Sequence, residues 1–152
     1  MSKTVILIPS RLSAKRLPGK PLLKINGISI ISHVVKKAKE ADIGDVYVAT
    51  EDKAIIDEVN LNGGKAILTS KKHKTGSDRI FECFEKLDLQ GIDYIINLQG
   101  DEPNIDINDL KHLNNLIEGN KPEIGTLASE IDDKTKLPNE NIVKVITDNK
   151  IT

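Results

Sequence analysis

Arginine is scarce in this chain, and its scarcity singles out three positions. Of 22 basic residues 19 are lysine, and only Arg11, Arg16 and Arg79 carry a guanidinium. A guanidinium is a planar, always-charged fork that takes two oxygens of a carboxylate or phosphate at once, where lysine offers a point charge. Arg11 and Arg16 share the segment Pro9-Ser10-Arg11-Leu12-Ser13-Ala14-Lys15-Arg16-Leu17-Pro18-Gly19-Lys20-Pro21-Leu22, and from Arg11 to Lys24 there are five cations and no acid. Two arginines and Lys20 on one loop suit a polyphosphate; a solvated basic loop is the plainer alternative. The segment is neither G-x-x-x-x-G-K-[ST], because Pro21 follows Gly19-Lys20, nor G-x-G-x-x-G, so P-loop ATPase and dinucleotide dehydrogenase readings fall away.

Two further segments carry chemistry. In Asn97-Leu98-Gln99-Gly100-Asp101-Glu102-Pro103 a carboxylate follows a β-rich run. Mg²⁺ takes one or two carboxylates and fills its octahedron with water and phosphate oxygens, which makes Asp101 a candidate ligand. Asp-Glu-Pro is equally ordinary turn composition. In Lys72-His73-Lys74-Thr75-Gly76-Ser77-Asp78-Arg79 a helix start offers free N–H groups, and Thr75, Gly76 and Ser77 are small enough for a base or sugar to approach. A capping box alone accounts for Thr75 and Asp78 but not for an arginine at 79. His33, His112 and Cys83 stand on apolar or surface helix positions and are assigned no chemistry.

The elements that must position these groups alternate. Val5 to Pro9 is a continuous apolar run, the mark of a buried parallel strand. From Ser29 the positions Ile30, Ile31, Val34, Val35, Ala38 and Ala41 predict an amphipathic helix ending near Asp42 to Gly44. Val46 to Ala49 predicts a strand, Lys53 to Asn62 a helix closed by Gly63-Gly64, and Ala66 to Leu68 a short strand. A helix begins at Thr75, Tyr94 to Leu98 predicts a central strand, and Asp106 caps a helix carrying Leu110, Leu113 and Ile117. Two later β-like runs, Thr126 to Ile131 and Ile142 to Thr147, complete the chain. Such alternation predicts an α/β fold, a mostly parallel sheet with helices on both faces and ligands at the carboxyl ends of its strands. The Arg11 loop and Asp101 both follow such ends.

Composition bounds the rest. At 152 residues the chain is about one domain's worth, by a prior of ~150 residues per domain, and 38% apolar residues can build a core. The net charge of -1 lacks the global positive field of a dedicated nucleic-acid binder, so any anion site is local. No apolar run approaches the ~20 residues of a bilayer span and no cleavable leader pattern is present, which predicts a cytoplasmic protein without membrane insertion. The single cysteine excludes an internal disulfide.

Taken together, I-P-S-R-L-S-A-K-R-L-P-G-K-P-L, H-K-T-G-S-D-R and I-I-N-L-Q-G-D-E-P, with V-A-T-E-D at Val48 to Asp52, resemble the 3-deoxy-manno-octulosonate cytidylyltransferases, or CMP-Kdo synthetases. The resemblance runs from Thr4 to about Asp148. It implies a nucleotide-diphospho-sugar transferase-like α/β fold and the joining of CTP and Kdo into CMP-Kdo and pyrophosphate for lipopolysaccharide biosynthesis. It further implies that Arg11, Arg16 and Lys20 are the catalytic cations that hold the triphosphate, and that Pro9, Ser10, Thr75, Gly76 and Ser77 lie by the cytosine and ribose. Gln99 and Arg79 match positions on the sugar-acid side, and Asp101 the ligand of Mg²⁺. Thr75-Gly76-Ser77 reverses the family's usual serine, glycine, threonine order and keeps both hydroxyls. Family members continue well beyond Thr152 with further Kdo contacts, a second metal-binding aspartate and much of a homodimer interface. Residues 1–152 are therefore expected to be the nucleotide-binding part of a C-terminally truncated domain, with an open sheet edge that a separate C-terminal chain could complete. The alternatives are a non-catalytic remnant or half-enzyme that binds only CTP, and a cytidylyltransferase for another sugar acid.

Overall fold

The computed structural model of the chain describes residues 3–13 and 17–146. The chain divides into two compact units, Met1–Lys121 and Pro122–Thr152. All candidate functional residues belong to the first.

That unit opens with β1 (Thr4–Ser10), in which every residue but Pro9 is buried. A 3-10 turn over Lys20–Leu22 follows the basic loop, and β2 (Lys24–Ile25) pairs with β3 (Ile28–Ser29) as a small antiparallel hairpin. Asn26 and Gly27 form its tip with φ of 50° and 81°, as a two-residue hairpin turn requires. Ser29 then caps α1 (Ile30–Glu40), its hydroxyl accepting from the Ser32 N–H. The alternation continues with β4 (Gly44–Thr50), α2 (Lys53–Leu61), β5 (Ala66–Leu68), α3 (Gly76–Leu87), β6 (Tyr94–Asn97) and α4 (Ile107–Asn120).

The four long strands form one parallel sheet in the order β5-β4-β1-β6. Side chains alternate across β1, and its two faces feed two cores. Ile6 and Ile8 pack with Ile31 and Val34 of α1, Ile55 and Val59 of α2 and Leu110 of α4. Val5 and Leu7 pack on the opposite face with Ile80 and Cys83 of α3. Helices therefore cover both faces, three on one and one on the other.

Three sequence expectations need correction. Tyr94 to Leu98 is predicted as a central strand, but among the described residues β6 pairs only with β1 and is an edge, and Ile95 and Asn97 are exposed. Residues 126–131 form no strand. Neither do residues 142–146; Thr147 lies outside the described residues. β-branched composition makes a strand only when a neighbour completes its hydrogen-bond ladder and buries one face. Val143 and Ile146 are 91% and 94% exposed, so that condition is not met in the second unit. Among the described residues its regular element is a single 3-10 turn, Lys134–Lys136, capped by Asp133, whose carboxyl is held below its usual range by the Thr135 hydroxyl and N–H.

Candidate active site

Because β1, β4 and β6 run parallel, Ser10, Thr50 and Asn97 end at the same margin of the sheet. A cleft of ≈ 200 Å³ opens there. Pro9, Ser10 and Arg11 form the wall that leaves β1; His73, Lys74, Thr75, Gly76 and Arg79 form the wall on the α3 side; Gln99 enters after β6. The positive end of the α3 dipole lies at this opening, since the helix starts at Gly76.

Close approach of backbone makes the cleft. A Cβ at Gly76 would stand 3.2 Å from Cγ of Pro9, so glycine lets α3 abut the end of β1. At Gly100 a Cβ would come within 2.9 Å of the Pro9 carbonyl oxygen. Ser10 is 7% exposed, and its hydroxyl has no hydrogen-bond partner among the described residues. Leaving such a group unpaired costs about 1–3 kcal/mol, which makes this hydroxyl the natural recipient of a ligand's hydrogen bond.

The basic loop is tied at several points. The Leu12 N–H donates to Asp52 Oδ2 at 2.8 Å, and the Gly19 N–H donates to the Leu12 carbonyl at 3.0 Å. Just beyond that neck, Lys20 Nζ meets Asp101 Oδ2 at 2.8 Å. Asp101 is half exposed, and its Oδ1 has no partner among the described residues. No cluster of three or more His, Cys, Asp or Glu side chains forms a cation cage among those residues. One accessible carboxylate beside the basic loop nevertheless fits Mg²⁺, which binds proteins through few carboxylates and completes its shell with phosphate and water.

Arg79 performs a task the sequence does not reveal. It is 3% exposed, and its Nη1 donates to Thr69 Oγ1 at 2.6 Å and to the Ser70 carbonyl at 3.2 Å, while Nη2 donates to Glu51 Oε2 at 2.5 Å. The fork that the sequence assigns to a ligand thus holds three groups of the protein. Beside it His73 is bonded to Glu82, which also accepts from Lys86 at 2.7 Å and from the Ser70 N–H at 2.9 Å. Lys86 first, then the Ser70 N–H and His73, bring the Glu82 carboxyl down to about 2. The capping box is altered: Thr75 Oγ1 accepts from the Asp78 N–H at 3.1 Å and donates to the Asp78 carboxylate at 2.7 Å.

Of the residues singled out from sequence, Pro9, Ser10, Arg11, Thr75, Gly76, Arg79 and Gln99 line one cleft. Lys20 and Asp101 are brought together in their own ion pair. Ser77 is exposed on the first turn of α3, outside the lining, and Arg16 lies outside the described residues. His73, Lys74, Glu51, Asp52, Thr69 and Glu82 are additions. The V-A-T-E-D segment was the signal for Glu51 and Asp52, but their partners are 28 and 40 residues away.

A parallel sheet in this order, with a basic loop after its first strand and an acidic turn after its edge strand, defines a nucleotidyltransferase-like α/β domain. The cytidylyltransferase family profile matches residues 5–151, and the chain belongs to that family. It is 44% identical over 146 residues to a 3-deoxy-manno-octulosonate cytidylyltransferase of Nitrobacter winogradskyi, covering 95% of this chain and 58% of the relative. Against the enzyme of that name from Afipia carboxidovorans it is 45% identical over 144 residues, 94% of this chain and 58% of the relative. The chain thus spans somewhat over half the length of these curated relatives. Among solved structures, a CMP:2-keto-3-deoxy-manno-octonic acid synthetase complexed with CTP superposes with a TM-score of 0.74 at 43% identity, over 79% of this chain and 49% of that one. A nucleotidyl transferase from Methanothermobacter, at 20% identity and a TM-score of 0.60 over 76% of this chain and 57% of that one, shares the fold.

Proposed function

We propose that this chain carries the nucleotide-binding part of an enzyme that transfers CMP from CTP to 3-deoxy-D-manno-octulosonate, releasing pyrophosphate, in the cytoplasmic synthesis of lipopolysaccharide. The observation that carries this reading is the cleft at the strand ends, where the unpaired Ser10 hydroxyl, Arg11 and the start of α3 converge. The 43%-identical synthetase complexed with CTP supports the choice of nucleotide.

In this reading Arg11, Arg16 and Lys20 hold the triphosphate and offset the charge of the departing pyrophosphate. Pro9, Ser10, Thr75, Gly76 and Ser77 surround base and ribose. Gln99 faces the sugar acid, and Arg79 supports that side through Thr69 and Glu51. Asp101 would hold Mg²⁺, which when bound supplies positive charge to the phosphate oxygens. The anomeric hydroxyl oxygen of the sugar acid bonds to the α-phosphorus as the bond to pyrophosphate breaks, and the hydroxyl proton is lost to solvent or a nearby base. Little covalent chemistry falls to the protein, whose work is alignment and charge stabilisation. Homodimer formation, or a separate chain completing the sugar-acid site, belongs to the same proposal.

Calorimetric titration with CTP and MgCl₂, followed by pyrophosphate release on adding the sugar acid, tests it. Binding with release supports the full reading. Binding without release assigns this chain the nucleotide part alone, and absence of binding by the folded chain refutes the CTP site.

A further inference from the structure

We propose that Asp52 is a positioning residue whose carboxylate anchors the neck of the basic loop and thereby sets where Arg11 and Lys20 stand. At the start of α2 the capping side chain does not cap. Asp52 occupies the N-cap position of α2 with φ of -104° and ψ of 115°, the backbone geometry in which an aspartate ordinarily accepts a hydrogen bond from its own helix. Ser29, Thr75 and Asp106 do this for α1, α3 and α4. The Asp52 side chain makes no such bond. It reaches across 40 residues of sequence to the Leu12 N–H at 2.8 Å.

Leu12 is where the bond from Asp52 meets the neck of the loop. Its carbonyl accepts from the Gly19 N–H at 3.0 Å, closing a neck that Arg11 enters and Lys20 leaves. Gly19 has φ of 74°, the left-handed backbone needed to start the turn that carries Lys20. Fixing Leu12 therefore fixes both cations relative to the sheet. The strand order explains the geometry: β1 lies between β4 and β6, and the loop after β1 is held from the β4 side by Asp52 and from the β6 side by Asp101. The two grips differ in kind. Asp101 holds the Lys20 ammonium, a group that a phosphate can draw away, whereas Asp52 holds a backbone N–H. Glu51, the preceding residue, holds the opposite wall through Arg79, so one strand end positions both sides of the cleft.

The consequence for affinity rests on the CTP reading above; the anchoring itself does not, and the experiment separates them. The full chain is compared as wild type, Asp52→Ala and Asp52→Asn by residue-resolved amide hydrogen exchange without ligand, and by titration with CTP and MgCl₂. The asparagine carbonyl can still accept from Leu12, so Asp52→Asn should keep Leu12 and Gly19 protected and bind CTP within about threefold of wild type. Asp52→Ala should exchange both amides at least about tenfold faster and bind CTP about tenfold more weakly, the size of one lost charge-assisted hydrogen bond. Unchanged exchange at Leu12 in Asp52→Ala overturns the anchoring, as does faster exchange confined to the first turn of α2, which would make Asp52 a helix cap. If wild type takes no CTP while Asp52→Ala frees Leu12, the nucleotide reading fails and the anchor stands. If both proteins bind CTP equally although Leu12 is freed, the loop needs no anchor and the inference fails. Should Asp52→Ala not fold, Asp52→Glu displaces the contact by one methylene while keeping the charge. It should show the same faster Leu12 exchange, and wild-type exchange there overturns the proposal.

Discussion

Replacing Arg79 with lysine separates a structural guanidinium from a ligand-facing one. The side chain is 3% exposed and makes three hydrogen bonds through two different nitrogens, to Thr69, Ser70 and Glu51. Lysine keeps the charge beside Glu51 but brings one nitrogen on a shorter stem, so it cannot occupy both positions. Losing the two bonds to Thr69 and Ser70, at ~1 kcal/mol each with some further cost for the unfilled space, gives about 2–3 kcal/mol of destabilisation. Arg79→Ala should cost more, about 3–5 kcal/mol, because it strands the Glu51 carboxylate, which is 12% exposed, without its cation. At roughly 3–5 °C per kcal/mol for a unit of this size, Arg79→Lys should lower Tm by about 10 °C. Urea unfolding and thermal melts read the stability, and the CTP titration is run alongside. If Arg79→Lys stays within about 0.5 kcal/mol of wild type while ligand binding collapses, the guanidinium serves the ligand and the buried network described above is wrong. A double-mutant cycle of Glu51→Gln with Arg79→Met should return a coupling above about 1 kcal/mol, and a coupling near zero refutes the pairing.

Asp101→Asn, Arg16→Ala and Lys20→Ala should each weaken Mg²⁺-CTP binding by about tenfold or more, as loss of a charged phosphate or metal contact requires; Lys36→Ala, on the solvent side of α1, should not, and equal effects in titration would remove the site assignment. Gly100→Ala drives a methyl to within 2.9 Å of the Pro9 carbonyl and should cost about 1–3 kcal/mol in urea unfolding. Gly119→Ala, with open space around it in α4, should be neutral or stabilise by up to about 1 kcal/mol; a reversed ranking contradicts the packing at the cleft. Glu82 has a folded pKa of about 2 against an ordinary 4.5, so the unfolded chain binds the proton more readily and the contribution of Glu82 is complete above about pH 4.5 and lost as pH falls toward 2. The stability gap between wild type and Glu82→Gln should therefore close across that window, and a gap that is constant with pH refutes the pairing with Lys86, Ser70 and His73. Burial pushes the Cys83 thiol up to about 11, so a thiol reagent should label it only as the protein unfolds; rapid labelling of the native chain contradicts its place against Val5 and Leu7.

Local patterns determined most of the scaffold. The apolar run Val5 to Pro9, the helical spacing from Ile30 to Ala41 and the caps Thr75 and Asp106 are short-range signals, and the elements they predict are present within a residue or two. The same local logic selected the residues that gather at the strand ends, because parallel strands bring every post-strand loop to one margin. It failed where the deciding partner is distant. Thr126 to Ile131 has strand-like composition, yet a strand exists only when another backbone completes its ladder. Tyr94 to Leu98 looked central because a buried run and an edge strand differ in their neighbours, not in their own residues. Arg79 and Asp52 show the point most sharply. Composition marked Arg79 as a fork for an anion and no local signal gave Asp52 a task, but folding commits the first to Glu51, Thr69 and Ser70 and the second to the Leu12 N–H. A side chain's type and spacing define which bonds it can make; which of those bonds it does make depends on what folding places within about 3 Å of it.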